Sequence, residues 1–476
     1  MSQHPNIILV MTDQQRYDTI AALGYPYMNT PNLDRLANEG TVLTDCHITA
    51  ASCVPCRASL FSGYYPHTTG VYANGQPWGR TWVEQLRDTG YRCVNVGKMH
   101  TIPYEVDAGF DERYVVENKD RFMEGRWYFD EWDKALAAHG LKKQQREEYR
   151  KRADYRERLG AFDWELPEHL HSDNFVGNFA RWWVETYPVT QPLFLQVGFP
   201  GPHPPYDPTP EQAASYLARN DLPCPRPSRQ ELDGLPPPFQ EKRRHDVEVD
   251  HDSVVWSLDP SEDQLHRMWA NYLANITMID SQVGQLLEAL ERRGYLDNAV
   301  VLFCSDHGDC MGDHGLIQKW SMYDCITRSP VIAWSPGRFA AGVRRSELCQ
   351  LFDLGPTILE LAGCEVPKSF EARSLLPLLE GRGWRPRTHV FCEQMADVNL
   401  TGCDLITMVR DRRHKLVHFK DQTYGQLFDL EADPEETNNL WDDPAQSETK
   451  RRLLDAMRDW LMESAFHTRD RMAAHR

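Results

Sequence analysis

Five short runs of apolar residues, separated by helical patterns, constrain the fold of this chain more than any other feature. The runs are continuous rather than alternating, which is typical of strands buried on both faces of a parallel sheet. They are Asn6–Met11, Tyr91–Val96, Leu193–Phe199, Val300–Cys304 and Pro330–Trp334. Helical patterns lie between and after them, at Thr81–Gly90, Ser281–Gly294 and Asp353–Gly363. Alternating strands and helices predict an α/β fold with a large, mainly parallel sheet sandwiched by helices.

Four of these runs lead directly into a polar, titratable cluster. The clusters are Thr12-Asp13-Gln14, Gly97-Lys98-Met99-His100, the segment PGPHPPY with His203, and Ser305-Asp306-His307-Gly308. Open α/β sheets bind ligands beyond the carboxyl ends of their strands. We therefore expect the four clusters to meet in one site.

The rest of the chain predicts an insertion and a second subdomain. Segment 117–165 is rich in charge, Trp and Tyr and lacks a strand pattern, so we interpret it as a mostly helical insertion or lid. After residue 381 the pattern changes to short strands followed by an amphipathic helix around Leu453–Met462. We expect a first domain over residues 1–381, carrying the site, and a smaller α+β subdomain over residues 382–476.

Composition excludes several classes of protein. The chain has 476 residues and a formal net charge of −18, which argues against a general nucleic-acid binder. No apolar window approaches the length of a transmembrane helix, and the N-terminal sequence lacks the features of a signal peptide. The twelve cysteines are scattered without a paired framework. We expect a cytoplasmic protein with no membrane partner; a homo-oligomer is left open.

The strand-end clusters also suggest a cation site. Asp13, Asp306 and the Gln14 amide offer oxygen ligands, which suit Ca²⁺. His307 adds a nitrogen, which leaves Mn²⁺ or Zn²⁺ open. An aspartate at a strand end is, taken alone, more often a helix N-cap. Two such aspartates at converging strand ends favour a metal.

The segment Cys53-Val54-Pro55-Cys56-Arg57 has three interpretations. A single cysteine is usually a small buried hydrophobe. A Cys-x-x-Cys redox pair needs a thioredoxin-like setting, whereas this pair opens a helix within a much larger sheet. The third interpretation is a resemblance, because the segment resembles the Cys-x-Pro-x-Arg signature of the type I sulfatase family.

The resemblance extends from about residue 6 to about residue 443. Asp13-Gln14 resemble the family's first metal pair, GKMH its Gly-Lys-x-His segment, PHPPY its His-Pro segment, and SDHGDCMGDHG its second metal loop. Lys319 and the segment from RRHKLVHF to EETNNL follow in the family's order. This implies an alkaline phosphatase-like fold and a sulfuric ester hydrolase that cleaves a sulfate monoester of a small molecule or saccharide.

The resemblance also implies how the site works. A formylglycine-generating enzyme oxidises Cys53 to formylglycine, whose hydrate attacks sulfur, and one divalent cation binds at Asp13, Gln14, residue 53, Asp306 and His307. The remaining implied roles belong to other side chains. Arg57 and Lys98 hold the diol, His203 with Lys319 binds sulfate and protonates the leaving alcohol, His100 accepts the proton of the remaining hydroxyl, and Asn74 contacts substrate.

Two other functions stay open at this point. One is a phosphonate monoester or phosphodiester hydrolase of the same superfamily, although Lys98 and His100 favour the sulfate ester. The other is a binding protein whose Cys53 is never converted. The sequence departs from the family's pattern at Gln14, where a second Asp is common, and at Cys56, which could block conversion through a disulfide with Cys53.

Overall fold

The computed structural model describes residues 4–121, 129–188 and 190–469. One large sheet contains the strands β1 (Asn6–Asp13), β2 (Thr41–His47), β3 (Arg92–Gly97), β4 (Glu112–Val115), β5 (Leu193–Pro202), β6 (Ala299–Ser305), β7 (Arg328–Trp334), β8 (Val343–Arg345) and β9 (Cys349–Gln350). Their order is β4-β3-β5-β1-β6-β7-β2-β8, with β9 also paired to β2. All pairs from β4 to β6 are parallel, whereas β7 is antiparallel to β6 and β2. The predicted mainly parallel sheet is confirmed.

Helices cover both faces of this sheet. They are α1 (Pro31–Glu39), α2 (Cys53–Ser62), α3 (Pro66–Thr69), α4 (Val83–Asp88), α5 (Glu131–Ala138), α6 (Arg146–Tyr149), α7 (Ser172–Thr186), α8 (Pro210–Leu217), α9 (Arg229–Asp233), α10 (Pro237–Glu248), α11 (Glu262–Arg292), α12 (Asp324–Thr327), α13 (Leu354–Leu361) and α14 (Leu376–Leu379). The side chains of β1 alternate between two buried clusters, as the pleat of a strand requires. Ile7 and Leu9 pack with α2, α4 and α13, and Ile8 and Val10 pack with α1, α7 and α11.

A second, smaller sheet follows. It is antiparallel and contains β10 (Val390–Met395), β11 (Leu405–Arg410), β12 (His414–Phe419) and β13 (Gly425–Asp429). The helix α15 (Ser447–His467) packs on it, and Trp460 stacks on Phe391 with ring centroids 4.3 Å apart. This confirms the predicted α+β subdomain, and the predicted boundary after residue 381 falls between α14 and β10.

Gly97 and Gly198 set how closely β3 and β5 approach each other at the site. Gly97 ends β3 with φ +95°, and a Cβ there would lie 2.0 Å from the Gly198 carbonyl oxygen. Lys98 donates its backbone N–H to that same oxygen at 2.7 Å. Glycine at position 97 therefore allows β3 to bring Lys98 against β5 at the carboxyl edge of the sheet.

The insertion differs from the prediction. Within its described residues, segment 117–165 contains only the short helices α5 and α6 and one 3₁₀ turn, joined by irregular chain, so a mostly helical insertion is wrong there. Residues 122–128 of the segment lie outside the described residues. No helix in the described part of the chain is long and apolar enough to span a bilayer.

Candidate active site

The predicted residues lie together at the carboxyl edge of four adjacent parallel strands, in the order β3-β5-β1-β6. Asp13 is the last residue of β1, and Lys98, His203 and Asp306 each directly follow β3, β5 and β6. The His203 backbone N–H donates to the Asp13 carbonyl at 3.1 Å, which ties two of these strand ends together. Clusters that are far apart in sequence thus form one buried site.

Cys53 lies at the centre of that site, as the first residue of α2. Its Sγ is 3.1 Å from His307 Nε2, 2.9 Å from Lys319 Nζ and 3.7 Å from Asp13 Oδ1. Cys53 is buried, with 1% of its surface exposed. The cysteine is therefore placed among acid, base and ammonium groups rather than among the apolar side chains typical of a structural cysteine.

Buried cations balance the carboxylates. Arg57 donates from Nε to Asp306 Oδ2 at 2.7 Å and from a terminal nitrogen to Asp13 Oδ2 at 3.0 Å, and Lys98 Nζ lies 2.9 Å from Asp13 Oδ2. Burial opposes ionisation of Asp13, but Lys98, His203 and Arg57 hold its pKa well below the usual range. With Lys319, three cations face two carboxylates, so an anionic substrate is attracted even though the whole chain is acidic.

The same carboxylates form a donor set that fits a divalent cation. One ligand atom each from Asp13, Cys53, Asp306 and His307 lies within 4.8 Å of the others, and all four residues are buried. His307 Nδ1 faces the Gly308 carbonyl at 2.8 Å, which leaves Nε2 to face the cluster. Metal-binding histidines are oriented in this way. A cation that prefers oxygen with one nitrogen fits these residues.

Gln14 belongs to the site through its amide. Its Oε1 accepts from Lys319 Nζ at 3.0 Å, and its Nε2 donates to Asp309 Oδ2 at 2.6 Å. Asp309, which also accepts from Tyr206, is not among the predicted site residues. The sequence signal that could have identified Asp309 is its position two residues after His307, within the segment that resembles the second metal loop. Asp309 fixes the Gln14 amide so that its oxygen faces Lys319.

His100 is held beside Lys98 in a left-handed backbone conformation, with φ +62°. Its backbone N–H donates to Glu117 Oε1 at 2.9 Å, and its carbonyl accepts from Trp78 Nε1 at 2.7 Å. Burial, followed by the charge of Lys98, lowers the pKa of His100 well below its ordinary value. A neutral imidazole at this position is able to accept a proton.

His203 lies on a buried loop. Its Nδ1 faces the Pro204 carbonyl at 2.8 Å, and its Nε2 is 3.3 Å from Asp252 Oδ2. Burial and Lys319 lower the pKa of His203, whereas Asp252 acts in the opposite direction. Asp252 follows no predicted strand, so no pattern in the sequence identifies it as a site residue.

Asn74 follows α3 in the chain, but its side chain contacts the first turn of α2. Its Oδ1 accepts from the Val54 backbone N–H at 3.1 Å, whereas the side chain of Ser52, the N-cap residue, makes no capping bond. The structure therefore brings Asn74 next to the cysteine, and its predicted contact with substrate stays a prediction. Cys56 donates to the Asp306 carbonyl at 2.9 Å and is a free thiol, as is Cys53.

A cation-rich site around a buried cysteine, at the carboxyl edge of an α/β sheet, is typical of a hydrolase for anionic esters. Residues 5–364 match the family model described as Sulfatase, and residues 312–463 match the model described as N-sulphoglucosamine sulphohydrolase, C-terminal. The chain therefore belongs to the sulfatase family and is a sulfuric ester hydrolase.

Two relatives agree with this assignment, and a solved structure shares the fold. An arylsulfatase from Clostridium perfringens is 30% identical over 96% of this chain and 94% of the relative. An N-acetylglucosamine-6-O-sulfatase from Bacteroides thetaiotaomicron is 24% identical over 96% and 86%. The structure of a phosphonate monoester hydrolase from Silicibacter pomeroyi superposes with a TM-score of 0.80 at 23% identity, over 98% and 96% of the two chains. That likeness confirms the alkaline phosphatase-like fold.

Proposed function

We propose that this sulfatase hydrolyses aryl or saccharide sulfate monoesters through a formylglycine made from Cys53 by a formylglycine-generating enzyme. The observation that carries the proposal is the position of Cys53 Sγ, within hydrogen-bond distance of both His307 and Lys319 at the start of α2. The names of the arylsulfatase and the N-acetylglucosamine-6-O-sulfatase support the two substrate classes. The hydrated aldehyde would supply a hydroxyl nucleophile that a thiol cannot replace, because a thiol cannot regenerate an aldehyde by elimination.

Asp13, Gln14, Asp306 and His307 would hold the divalent cation, together with residue 53. We propose Ca²⁺, because oxygen donors predominate. When bound, the cation would polarise the sulfate oxygens and favour ionisation of the nucleophile. The three buried cations Arg57, Lys98 and Lys319 would then neutralise the charge of the sulfate group.

Protons would move through two histidines, His203 and His100. His203, assisted by Lys319, would bind sulfate and donate a proton to the leaving alcohol. His100, kept neutral by burial and by Lys98, would accept the proton that is released when sulfate is expelled. Asn74 would contact the substrate from the loop that precedes α4.

A phosphonate monoester hydrolase is the second candidate, favoured by the fold likeness to the Silicibacter pomeroyi enzyme. Lys98 and His100 favour the sulfate ester through the resemblance of their segment to the sulfatase family's Gly-Lys-x-His segment. We also propose a cytoplasmic location, which the twelve free cysteines support.

The test is co-expression with a formylglycine-generating enzyme, followed by peptide mass analysis. Conversion of Cys53 lowers the peptide mass by about 18 Da, since sulfur is replaced by oxygen and two hydrogens are lost. The converted protein should turn over 4-nitrophenyl sulfate faster than an aryl phosphonate ester. Cys53→Ala should abolish turnover, and the matched control Cys224→Ser, a partly exposed cysteine elsewhere, should retain it. A preference for phosphonate would contradict the proposal.

A further inference from the structure

A cluster of arginines surrounds one cavity of the C-terminal subdomain. The cavity has a volume of about 820 Å³ and is lined by residues that precede β10 and by the turn between β11 and β12. Among the described residues its walls carry one carboxylate, Asp411, and five arginines: Arg385, Arg387, Arg412, Arg413 and Arg452. We call this cavity the arginine cleft. A local excess of positive charge on a chain whose net charge is −18 attracts anions.

Three guanidinium groups of the arginine cleft are each held by a carboxylate. A guanidinium presents its N–H donors in a rigid fork, so a partner on one side fixes the direction of the donors that remain. The fixed groups therefore form a preorganised frame around the cavity. The pairs are Arg387 with Asp353 at 3.0 Å, Arg413 with Asp429 at 2.7 Å, and Arg452 with Asp411 at 2.7 Å.

The other two arginines of the cleft lack such a partner. Arg385 and Arg412 are exposed, and neither forms an ion pair with any of the described residues. Arg373, on the wall of a neighbouring cavity, likewise has no ion pair within the described chain. Burial, followed by the charge of Arg387, lowers the pKa of Arg373, whereas Asp353 acts in the opposite direction. An anion bound at these three guanidinium groups would neutralise charge that the described residues leave unpaired.

The neighbouring cavity has a volume of about 850 Å³, and residues 385–388 line both cavities. We call it the aromatic cavity, because its walls include Phe370, Trp384 and Trp460. Trp384 is half-buried, and its Nε1 donates to the Ser374 carbonyl at 3.0 Å, which fixes the ring. Carboxylates in the aromatic cavity would repel an anion, so it suits an uncharged ring whose anionic groups lie in the cleft. They are Glu371, Asp459 and Glu463.

The arginine cleft is remote from the catalytic site. Helix α2 begins at Cys53, and its ten residues span about 15 Å. Gly63, directly after the helix, accepts at its carbonyl from the backbone N–H groups of Glu371 and Ala372 at 3.0 and 3.1 Å. Arg373, the next residue, therefore lies near the opposite end of α2 from Cys53. A small sulfate monoester bound at residue 53 does not reach the cleft, so the cleft fits a separate part of a larger ligand.

We propose that the arginine cleft is a noncatalytic binding site for a sulfated saccharide. Its sulfate groups bind the guanidinium groups of Arg373, Arg385 and Arg412, whose paired donors suit tetrahedral oxyanions. One sugar ring packs on Trp384 in the aromatic cavity. The inference rests on the proposed function and names its substrate class, because only a saccharide with several sulfate groups carries both the charges and the ring. No bond is made or broken in the cleft, which raises the local concentration of the chain's other sulfate esters near residue 53.

The experiment measures the Kd of a heparin-derived hexasaccharide by calorimetry at physiological ionic strength. The full chain is used with Cys53 unconverted, so that no ester is cleaved during the titration. Arg385→Ala/Arg412→Ala is compared with Arg35→Ala/Arg338→Ala, which removes two exposed arginines that also form no ion pair within the described chain. We expect the first double variant to raise Kd about tenfold or more, because charge-assisted hydrogen bonds are lost. The second should change Kd by less than about twofold.

Two further ligands test the chemistry of the cleft. The chemically desulfated hexasaccharide should bind wild type at least about tenfold more weakly, because the guanidinium groups lose their anionic partners. A single-stranded oligodeoxyadenylate of similar charge should also bind more weakly than the sulfated hexasaccharide. If the oligodeoxyadenylate binds equally tightly, the cleft is a general polyanion site and the proposal is wrong.

Equal Kd values for the two double variants, or no binding of the hexasaccharide to wild type, would also overturn the proposal. Both double variants remove exposed side chains, so both should unfold at the same denaturant concentration as wild type. Turnover of 4-nitrophenyl sulfate by converted wild type tests the proposed function separately. Its absence would reject the sulfatase chemistry, whereas the comparison of Kd values concerns the cleft alone, so the two failures are distinguishable.

Discussion

Arg57 donates from Nε to Asp306 Oδ2 at 2.7 Å, and both side chains are completely buried. The same guanidinium binds Asp13, so one planar cation joins the two carboxylates nearest to Cys53. Arginine suits this task because its donors form a rigid fork, whereas a lysine is a single point of charge. The site is therefore built as an ion network before any substrate arrives.

Removal of Arg57 should destabilise the fold as well as the chemistry. Arg57→Ala leaves two buried carboxylates without their shared partner, which costs about 3–5 kcal/mol of unfolding free energy. Urea denaturation in the presence of a chelator measures this loss without compensation by metal. The control Arg219→Ala removes a partly exposed arginine paired with Asp221 and should change stability by less than about 1 kcal/mol. Equal effects of the two substitutions would contradict the network.

Metal removal should abolish turnover reversibly. A chelator should remove activity, and Ca²⁺, the proposed cation, should restore it, because Asp13, Asp306 and His307 would provide the ligands. His307→Ala removes one ligand, so the Ca²⁺ concentration for half-maximal activity should rise at least about tenfold. His266→Ala is the control, since that ring faces the Arg219 carbonyl at 2.8 Å and is not part of the proposed metal site. Full activity of chelated protein would contradict a metal-dependent site.

A pair of glycine substitutions tests the approach of β3 to β5. Gly97→Ala and Gly90→Ala both place a Cβ at positive φ, which costs about 1–2 kcal/mol. Only at Gly97 would the Cβ collide with a carbonyl, at 2.0 Å, whereas no atom lies within 4 Å at Gly90. We expect Gly97→Ala to lose more than about 3 kcal/mol in denaturant unfolding, with Lys98 displaced. Comparable losses in the two variants would reject the close approach.

The contact between the two subdomains should depend on pH. Asp324 accepts from Arg410 at 2.6 Å and from Lys415 at 2.5 Å, and these cations lower its pKa well below the usual value although burial opposes this. Because the pKa is lower in the folded state, the stabilisation is present above the unfolded pKa of about 3.9 and is lost as pH falls through the folded pKa.

Asp324→Asn should therefore cost about 3 kcal/mol at pH 7, and the difference from wild type should shrink below about pH 4. Denaturant unfolding across pH measures it. The exposed pair of Arg229 and Asp233 provides the control, since Asp233→Asn should have little effect at any pH. If the difference in unfolding free energy between Asp324→Asn and wild type stays constant down to pH 3, the ion pair is not the origin of that difference.

Much of the fold could be predicted because buried parallel strands have a distinctive pattern. The prediction was weaker where that pattern was absent. Helix α11 spans Glu262–Arg292, but only its last part was recognised, since the first half is buried on several sides and has no apolar stripe. Strand β2 (Thr41–His47) was missed because polar residues interrupt its apolar residues.

The same contrast holds at the site. Lys98, His203 and Asp306 could be predicted because each follows a recognisable strand, and strand ends meet at one edge of the sheet. Asp252 could not, because it reaches the site through irregular chain whose path depends on tertiary packing. Glu117 could not, because it follows β4, a short strand that has no apolar run. Local sequence carries no information on such contacts.

The most direct test of the central claim relates turnover to the fraction of residue 53 that carries formylglycine. Preparations with different extents of conversion, measured by peptide mass, should have a kcat for 4-nitrophenyl sulfate that is proportional to the converted fraction. Extrapolation to no conversion should give no activity. Turnover that is independent of conversion would show that Cys53 is not the precursor of the nucleophile, and the account of this site would be wrong.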